Sequence, residues 1–306
     1  MEKIWSAIKP YFRWIILGGT LFFLLKTFKD HWQGVAAIRI DSRGWLLLAI
    51  ALLVTLLAHT WSAWVWTWIL KAFQQPVGQK WAIRVYLITN LAKYLPGNVW
   101  HFYGRISAVS KAGCSLGAAS ISVLLEPILM ATAALLIALV SSSWGLIKTA
   151  SDSRILWLQI FLLTVVLIGI HPCILNPAMH FLSRLKGNAV NTNPVNIKHY
   201  PWLPLLGELG FLGLRGTGCL LTLMALMVVT PSQIPQLLSV FSFAWLLELI
   251  VPGAPGGLGV FETTALALLD KERFPIAIIL AAVALFRLVS ILAEAVAAGL
   301  AAVNKK

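Results

Sequence analysis

Eight ionisable residues stand in apolar or Gly/Pro-broken stretches of the chain: the acids Glu126, Glu208, Glu248, Glu262 and Glu294, and the cations Arg105, Arg215 and Arg287. At the centre of a membrane helix a charged side chain costs about 2.5 to 3.5 kcal/mol on the insertion scale unless it is paired or wetted. Such residues therefore lock helices together, line a path for polar cargo or carry protons. Glu208 and Arg215 are seven residues apart, as are Arg287 and Glu294, which puts each couple on one helix face two turns apart. Glu208, Arg215 and Glu294 are accordingly expected to serve as structural ion pairs. Arg105, Glu126, Glu262 and Arg287 are expected to bind substrate or gate its passage, because two of them close breaks in the apolar pattern. Glu248 fits either role.

The breaks are unusual in themselves. From Val251 to Glu262 two prolines and four glycines separate the apolar run Phe241 to Ile250 from the run Thr263 to Leu269, so no continuous helix crosses this stretch. A similar stretch runs from Tyr94 through Pro96, Gly97, Asn98 and Gly104 to Arg105. Lipid offers no hydrogen bonds, so backbone that leaves a helix at membrane depth must be buried in protein or face a wet cavity. Two broken-helix hairpins are expected, with Pro96, Gly97, Asn98, Gly256, Gly257 and Gly259 at their tips. Paired interruptions in the two halves of a membrane protein point to a transporter's binding site.

The elements that must carry these residues are membrane helices. With 306 residues, 59% of them hydrophobic and 11% charged, and a mean hydropathy of +0.85, the chain is expected to be an all-α polytopic membrane protein. A net charge of +13 in such a chain reads as a topology signal and as contact with anionic lipid, not as nucleic-acid binding. Cys114, Cys173 and Cys219 lack metal or disulfide spacing, and Asp30, Asp41, Asp152 and Asp270 are single and dispersed. No metal, cofactor or catalytic constellation is expected. His59 and His101 are weaker candidates as proton carriers.

In chain order the pattern predicts a retained first span over 11–28, then a polar stretch over 29–44 suited to the membrane surface. A long span over 45–73 follows, with Trp61, Trp64, Trp66 and Trp68 forming an interfacial belt. The first hairpin covers 81–110. Spans follow over 117–140, 155–175 and 202–229, then the second hairpin over 231–269 and a last span over 275–303. This gives about six full spans plus two re-entrant hairpins in a single membrane domain, 1–306, with approximate halves 11–150 and 155–303. Of the 24 Lys and Arg residues, fourteen fall on one side of this scheme and eight on the other, with Arg215 and Arg287 inside spans. The bias puts both termini in the cytoplasm and brings the hairpins in from opposite faces, as in an inverted repeat.

Several signatures together are similar to the lysylphosphatidylglycerol synthase transmembrane-region family. They are Leu95-Pro96-Gly97 with Gly104-Arg105, Ser122 to Glu126, Pro255-Gly256-Gly257-Leu258-Gly259-Val260-Phe261-Glu262, and Leu285-Phe286-Arg287-Leu288. The resemblance covers roughly residues 10 to 300. Asn98, Trp100, His101, Phe102 and Tyr103 depart from the family's usual first motif. It implies a stand-alone lipid flippase domain of a bacterial inner membrane, without the soluble aminoacyltransferase domain of fused members. The function expected is movement between leaflets of an amphiphilic phospholipid or lipid-linked phosphate. Arg105 and the helix N-terminus after Gly259 would attract its phosphate, and Glu262 with Arg287 would form a pair that re-forms as access alternates. Partners expected are anionic or phosphate-bearing membrane lipids, and a lipid-synthesis enzyme is a further possible partner. Two other readings remain: a non-transporting member of an envelope-synthesis complex, and an integral-membrane enzyme acting on a lipid phosphate.

Overall fold

A computed structural model describes residues 25–75, 77–95, 99–114, 116–143, 153–177, 197, 199–251 and 259–303. The first span up to residue 24, the tips Pro96, Gly97 and Asn98, and Gly256 and Gly257 lie outside the described residues. Among those described there is no strand, and four helices are long and apolar enough to cross a membrane.

The chain is helical over 25–30 and in the short α1 (Trp32–Ala36). This segment, expected on the membrane surface, packs on the last helix: Phe28 and Val35 join its core, and a Cβ on Gly34 would lie 3.0 Å from that of Ala277. Helix α2 (Ser42–Ala72) is capped by Asp41, whose carboxylate accepts from the Gly44 N–H at 2.7 Å. Its 31 residues extend about 46 Å, more than the roughly 30 Å hydrocarbon core. It buries Ala51, Thr55, Ala58 and Ser62 and leaves Trp45, Leu46, Leu53 and Leu57 outward.

Helices α3 (Gln79–Asn90) and α4 (Trp100–Lys111) are joined by a 3-10 turn over Leu91–Tyr94 and the first break. At 12 residues each they reach about 18 Å, too short to cross singly. Helix α5 (Leu116–Ser143) runs unbroken through Pro127, whose ring nitrogen offers the Val123 carbonyl no hydrogen bond. Helix α6 (Ser153–Gly169) ends at a turn before the chain becomes helical again over 172–177, with Pro172 at a first helical position where proline is tolerated.

Helix α7 (Trp202–Met224) lies against α2 because its glycines allow it. A Cβ on Gly207 would meet Val65 Cγ2 at 2.6 Å, one on Gly210 would meet Trp61 at 3.1 Å, and one on Gly218 would meet Thr55 Oγ1 at 2.6 Å. The Trp61 indole N–H donates to the Gly207 carbonyl at 2.8 Å, pinning the two helices. Trp61, Trp64 and Trp68, three and four residues apart on one face, meet edge to face at 5.2 to 6.0 Å. Trp66 does not belong to that belt: it points to the opposite face, is 0% exposed and packs on Tyr86.

After a 3-10 turn over Pro231–Gln233, helix α8 (Ile234–Ile250) completes a stretch long and apolar enough to cross. Across the second break, α9 (Val260–Leu268) reaches only about 13 Å. Helix α10 (Ile276–Val303) closes the fold. One core is built mainly from α5, α7, α8, α9 and α10, the other from α2, α3, α4 and α5 with residues from α7 and α10. Tyr94 and Val99, which flank the first break, and Ile250 and Val251, which precede the second, line one cavity between helices of both cores.

Candidate functional site

A cavity of about 270 Å³ lies between helices of both cores, and Lys93, Arg105, Glu126, Arg215, Glu248, Arg287 and Glu294 line it. Its Lys, Arg and Glu side chains fall into three ion-paired clusters and Arg215, which pairs with no carboxylate among the described residues.

The first cluster joins α4 to α5. Arg105 Nη1 donates to Glu126 Oε2, and Nη2 reaches Asn90 Oδ1 at 3.4 Å. The Tyr86 hydroxyl donates to Glu126 Oε1 at 2.5 Å and lies 2.7 Å from Ser62 Oγ. The Arg105 guanidinium also sits 3.9 Å from the centre of the Tyr86 ring, so its remaining face is covered by π density. Arg105 and Glu126 are each 2% exposed.

The second cluster holds the arms of the second break together. Arg287 of α10 donates through Nη1 to Glu248 Oε1 of α8 at 3.0 Å, and through Nη2 and Nε to Glu262 Oε1 of α9 at 2.9 and 3.2 Å. Glu262 Oε2 turns back to accept the Gly259 N–H at 2.7 Å, closing the N-terminus of α9. Gly259 has φ 94°, a left-handed conformation that a residue without Cβ adopts cheaply.

The third cluster links α10 to the 3-10 turn. Lys93 Nζ donates to Glu294 Oε1 at 2.5 Å, and His59 Nε2 lies 3.1 Å from the same oxygen. Arg215 stands apart: Nη1 donates to Ser290 Oγ at 2.8 Å, and its guanidinium lies 4.7 Å from the Phe286 ring centre.

The structure therefore brings Arg105, Glu126, Arg287, Arg215 and Glu294 to one cavity, with Glu262 bonded to Arg287 at its edge. It does not form the expected pairs within a helix. Glu208 is fully buried, and neither of its carboxylate oxygens has a hydrogen-bond partner among the described residues. Arg215 bonds to Ser290, Arg287 to Glu248 and Glu262, and Glu294 to Lys93. Seven residues rise about 10.5 Å along a helix, beyond direct contact, so these side chains take their partners from neighbouring helices.

The two groups expected to attract phosphate are already engaged. Glu262 fills the N-terminus after Gly259, and Glu126 neutralises Arg105. Of the aromatics near the first break, Tyr94 and Phe102 line the cavity, while Trp100 and Tyr103 meet edge to face at 6.4 Å and are largely exposed.

Tyr86, Lys93, Asn90 and Ser290 were not among the expected site residues. Lys93 reads in the sequence as a surface topology charge. Its position in a short apolar run just before Pro96 is the signal that it is drawn into the cavity. His101 lines the cavity with Nδ1 lacking a partner among the described residues, and its ring lies 3.8 Å from that of Phe102. No group of three or more metal-type ligands occurs among the described residues. No family model and no curated protein sequence matches the chain.

Proposed function

We propose that this protein moves a phosphate-bearing amphiphilic lipid between the leaflets of a bacterial inner membrane. The observation that carries the reading is the charged cavity lined by residues that flank both helix breaks, Tyr94, Val99, Ile250 and Val251, with apolar residues at its margin. Ile250 and Val99 line it and are 61% and 54% exposed, so they offer a lateral path on which an acyl chain stays in lipid while the headgroup enters. Cavities walled by paired intramembrane charges suit transport, because each charge is costly unless it serves a path.

In this reading α3 with α4, and α8 with α9, are re-entrant hairpins of an inverted repeat in a protein of about six spans. The short α3, α4 and α9 support it, and the Pro231–Ile250 stretch, by length and composition able to cross, is its longer arm. Both termini are cytoplasmic. Lys93 and Arg105 are paired inside the cavity, and without them the basic bias is twelve to eight in the same direction. Arg287 is the moving part. It bridges Glu248 and Glu262 on the two sides of the second break, and exchange between these partners accompanies opening to one leaflet or the other. The motif resemblance to the lysylphosphatidylglycerol synthase transmembrane region points the same way.

The test is leaflet exchange of acyl-labelled fluorescent phospholipid in proteoliposomes, read by quenching from outside. The wild type is expected to expose the inner-leaflet probe. Glu262→Gln keeps an acceptor for the Gly259 N–H and leaves Arg287 paired with Glu248, so it is expected to fold but lose exchange. Exchange at the wild-type rate in Glu262→Gln, and in the double variant Arg105→Met with Glu126→Met, would remove these charges from the mechanism.

A further inference from the structure

Four cations line the cavity, and their counter-charges are unevenly shared. Lys93 is matched by Glu294 and Arg105 by Glu126, whereas Arg287 has two carboxylates, Glu248 and Glu262. Arg215 contacts no carboxylate among the described residues. It is only 8% exposed, its Nε has no partner among the described residues, and the hydroxyl it donates to is uncharged. That hydroxyl is itself spent, because Ser290 Oγ donates to the Phe286 carbonyl at 2.7 Å. A buried guanidinium with an open N–H and no contacting counter-ion is an anion-binding group.

The opposite pole is on the same wall. The Arg287 cluster carries one negative charge more than it neutralises, and its Glu248 faces the cavity. Arg287, which holds Glu248, and Ser290, which accepts from Arg215, are three residues apart on α10, so both poles are anchored within one turn of the same helix. With all eight groups ionised the wall is neutral as a whole but polarised, positive at Arg215 and negative at Glu248. Such a wall repels neither end of a dipolar headgroup, while a purely anionic one leaves Glu248 unanswered.

Resting on the lipid reading above, we propose that the cavity selects a zwitterionic headgroup, an ethanolamine-type phosphate. Its phosphate anion is held by Arg215 and its ammonium by Glu248. The lipid and its free headgroup share this chemistry, and the open lateral margin favours the lipid.

The experiment is binding to the purified full chain in detergent, by calorimetry. The probes are dihexanoyl phosphatidylethanolamine, dihexanoyl phosphatidylglycerol, free phosphoethanolamine and inorganic phosphate. The wild type is expected to bind the ethanolamine lipid roughly tenfold or more tightly than the glycerol lipid, with free phosphoethanolamine weaker than the lipid. Arg215→Gln is expected to weaken both lipids by roughly tenfold or more. Glu248→Gln leaves Arg287 with Glu262, so it folds, and it is expected to abolish the preference by releasing the glycerol lipid from repulsion. Equal binding of the two lipids by the wild type, or a preference that survives Glu248→Gln, overturns the headgroup assignment while leaving lipid transport standing. Phosphoethanolamine bound as tightly as its lipid overturns the lipid as the source. Absence of binding by every probe, together with absent leaflet exchange, overturns the transport reading itself.

Discussion

Removing one charge from the Arg105–Glu126 pair measures how much of this fold depends on charges held away from water. In Glu126→Gln the amide keeps the shape and one acceptor oxygen, but Arg105, 2% exposed, is left with that neutral acceptor, Asn90 Oδ1 at 3.4 Å and the rings of Tyr86 and, at 5.8 Å, Trp66. A contact pair at an effective dielectric constant of about 20 is worth about 4 kcal/mol. Breaking a buried pair from one side costs about 3 to 5 kcal/mol. The Tyr86 face continues to hold the cation, an interaction worth up to about 2 kcal/mol when desolvated, so the expected loss sits at the lower end, about 3 kcal/mol. The assay is reversible unfolding in mixed micelles, followed by tryptophan fluorescence. Replacing both partners, Arg105→Met with Glu126→Met, leaves no orphaned charge and is expected to come within about 1 kcal/mol of the wild type. The reasoning fails if Glu126→Gln costs under about 1 kcal/mol, or if the double variant is as unstable as the single one.

Other outcomes follow from the same packing. Glu208→Met is expected to be neutral or stabilising by about 1 to 4 kcal/mol in the same unfolding assay, because its carboxylate bonds to nothing among the described residues; marked destabilisation would reveal a partner. Gly207→Ala puts a methyl group 2.6 Å from Val65 Cγ2 and is expected to cost about 1 to 3 kcal/mol, whereas Gly213→Ala meets open space and gains up to about 1 kcal/mol in helix propensity. Size-exclusion profiles after heating separate these two. Gly259→Ala forces a Cβ into φ 94° at the N-terminus that Glu262 caps, and should lower stability by about 1 to 2 kcal/mol. Trp61→Phe loses the indole donor to the Gly207 carbonyl and is expected to cost about 1 kcal/mol, visible as a lower unfolding midpoint.

Which residues would be drawn together was partly legible in the chain alone. A carboxylate or guanidinium in a long apolar run has few tolerable fates, so Arg105, Glu126, Glu262 and Arg287 stood out by type and setting; the cavity gathers Arg105, Glu126 and Arg287, with Glu262 bonded to Arg287, and also takes in Glu294, which was expected only to lock helices together. The helix breaks were equally readable, since proline and glycine act through local backbone physics. Local rules mislead where periodicity is ambiguous. Trp66 sits among three tryptophans in sequence, yet a helix turns about 100° per residue and carries it to the far side of α2.

The apolar, helical character of this protein, the two breaks in its helices and the presence of charges in apolar runs can all be read along the chain. Composition and backbone propensity act at short range, and these features need nothing more. The pairing came from the fold: Arg287 with Glu248 and Glu262, Lys93 with Glu294, Arg105 with Glu126, Glu208 with nothing among the described residues, and Arg215 with a hydroxyl. Distance is the cause. An ion pair needs contact within a few ångströms, and which helices come that close depends on where glycines such as Gly207 and Gly218 let α7 settle against α2. That long-range fit is written in no single stretch of the chain.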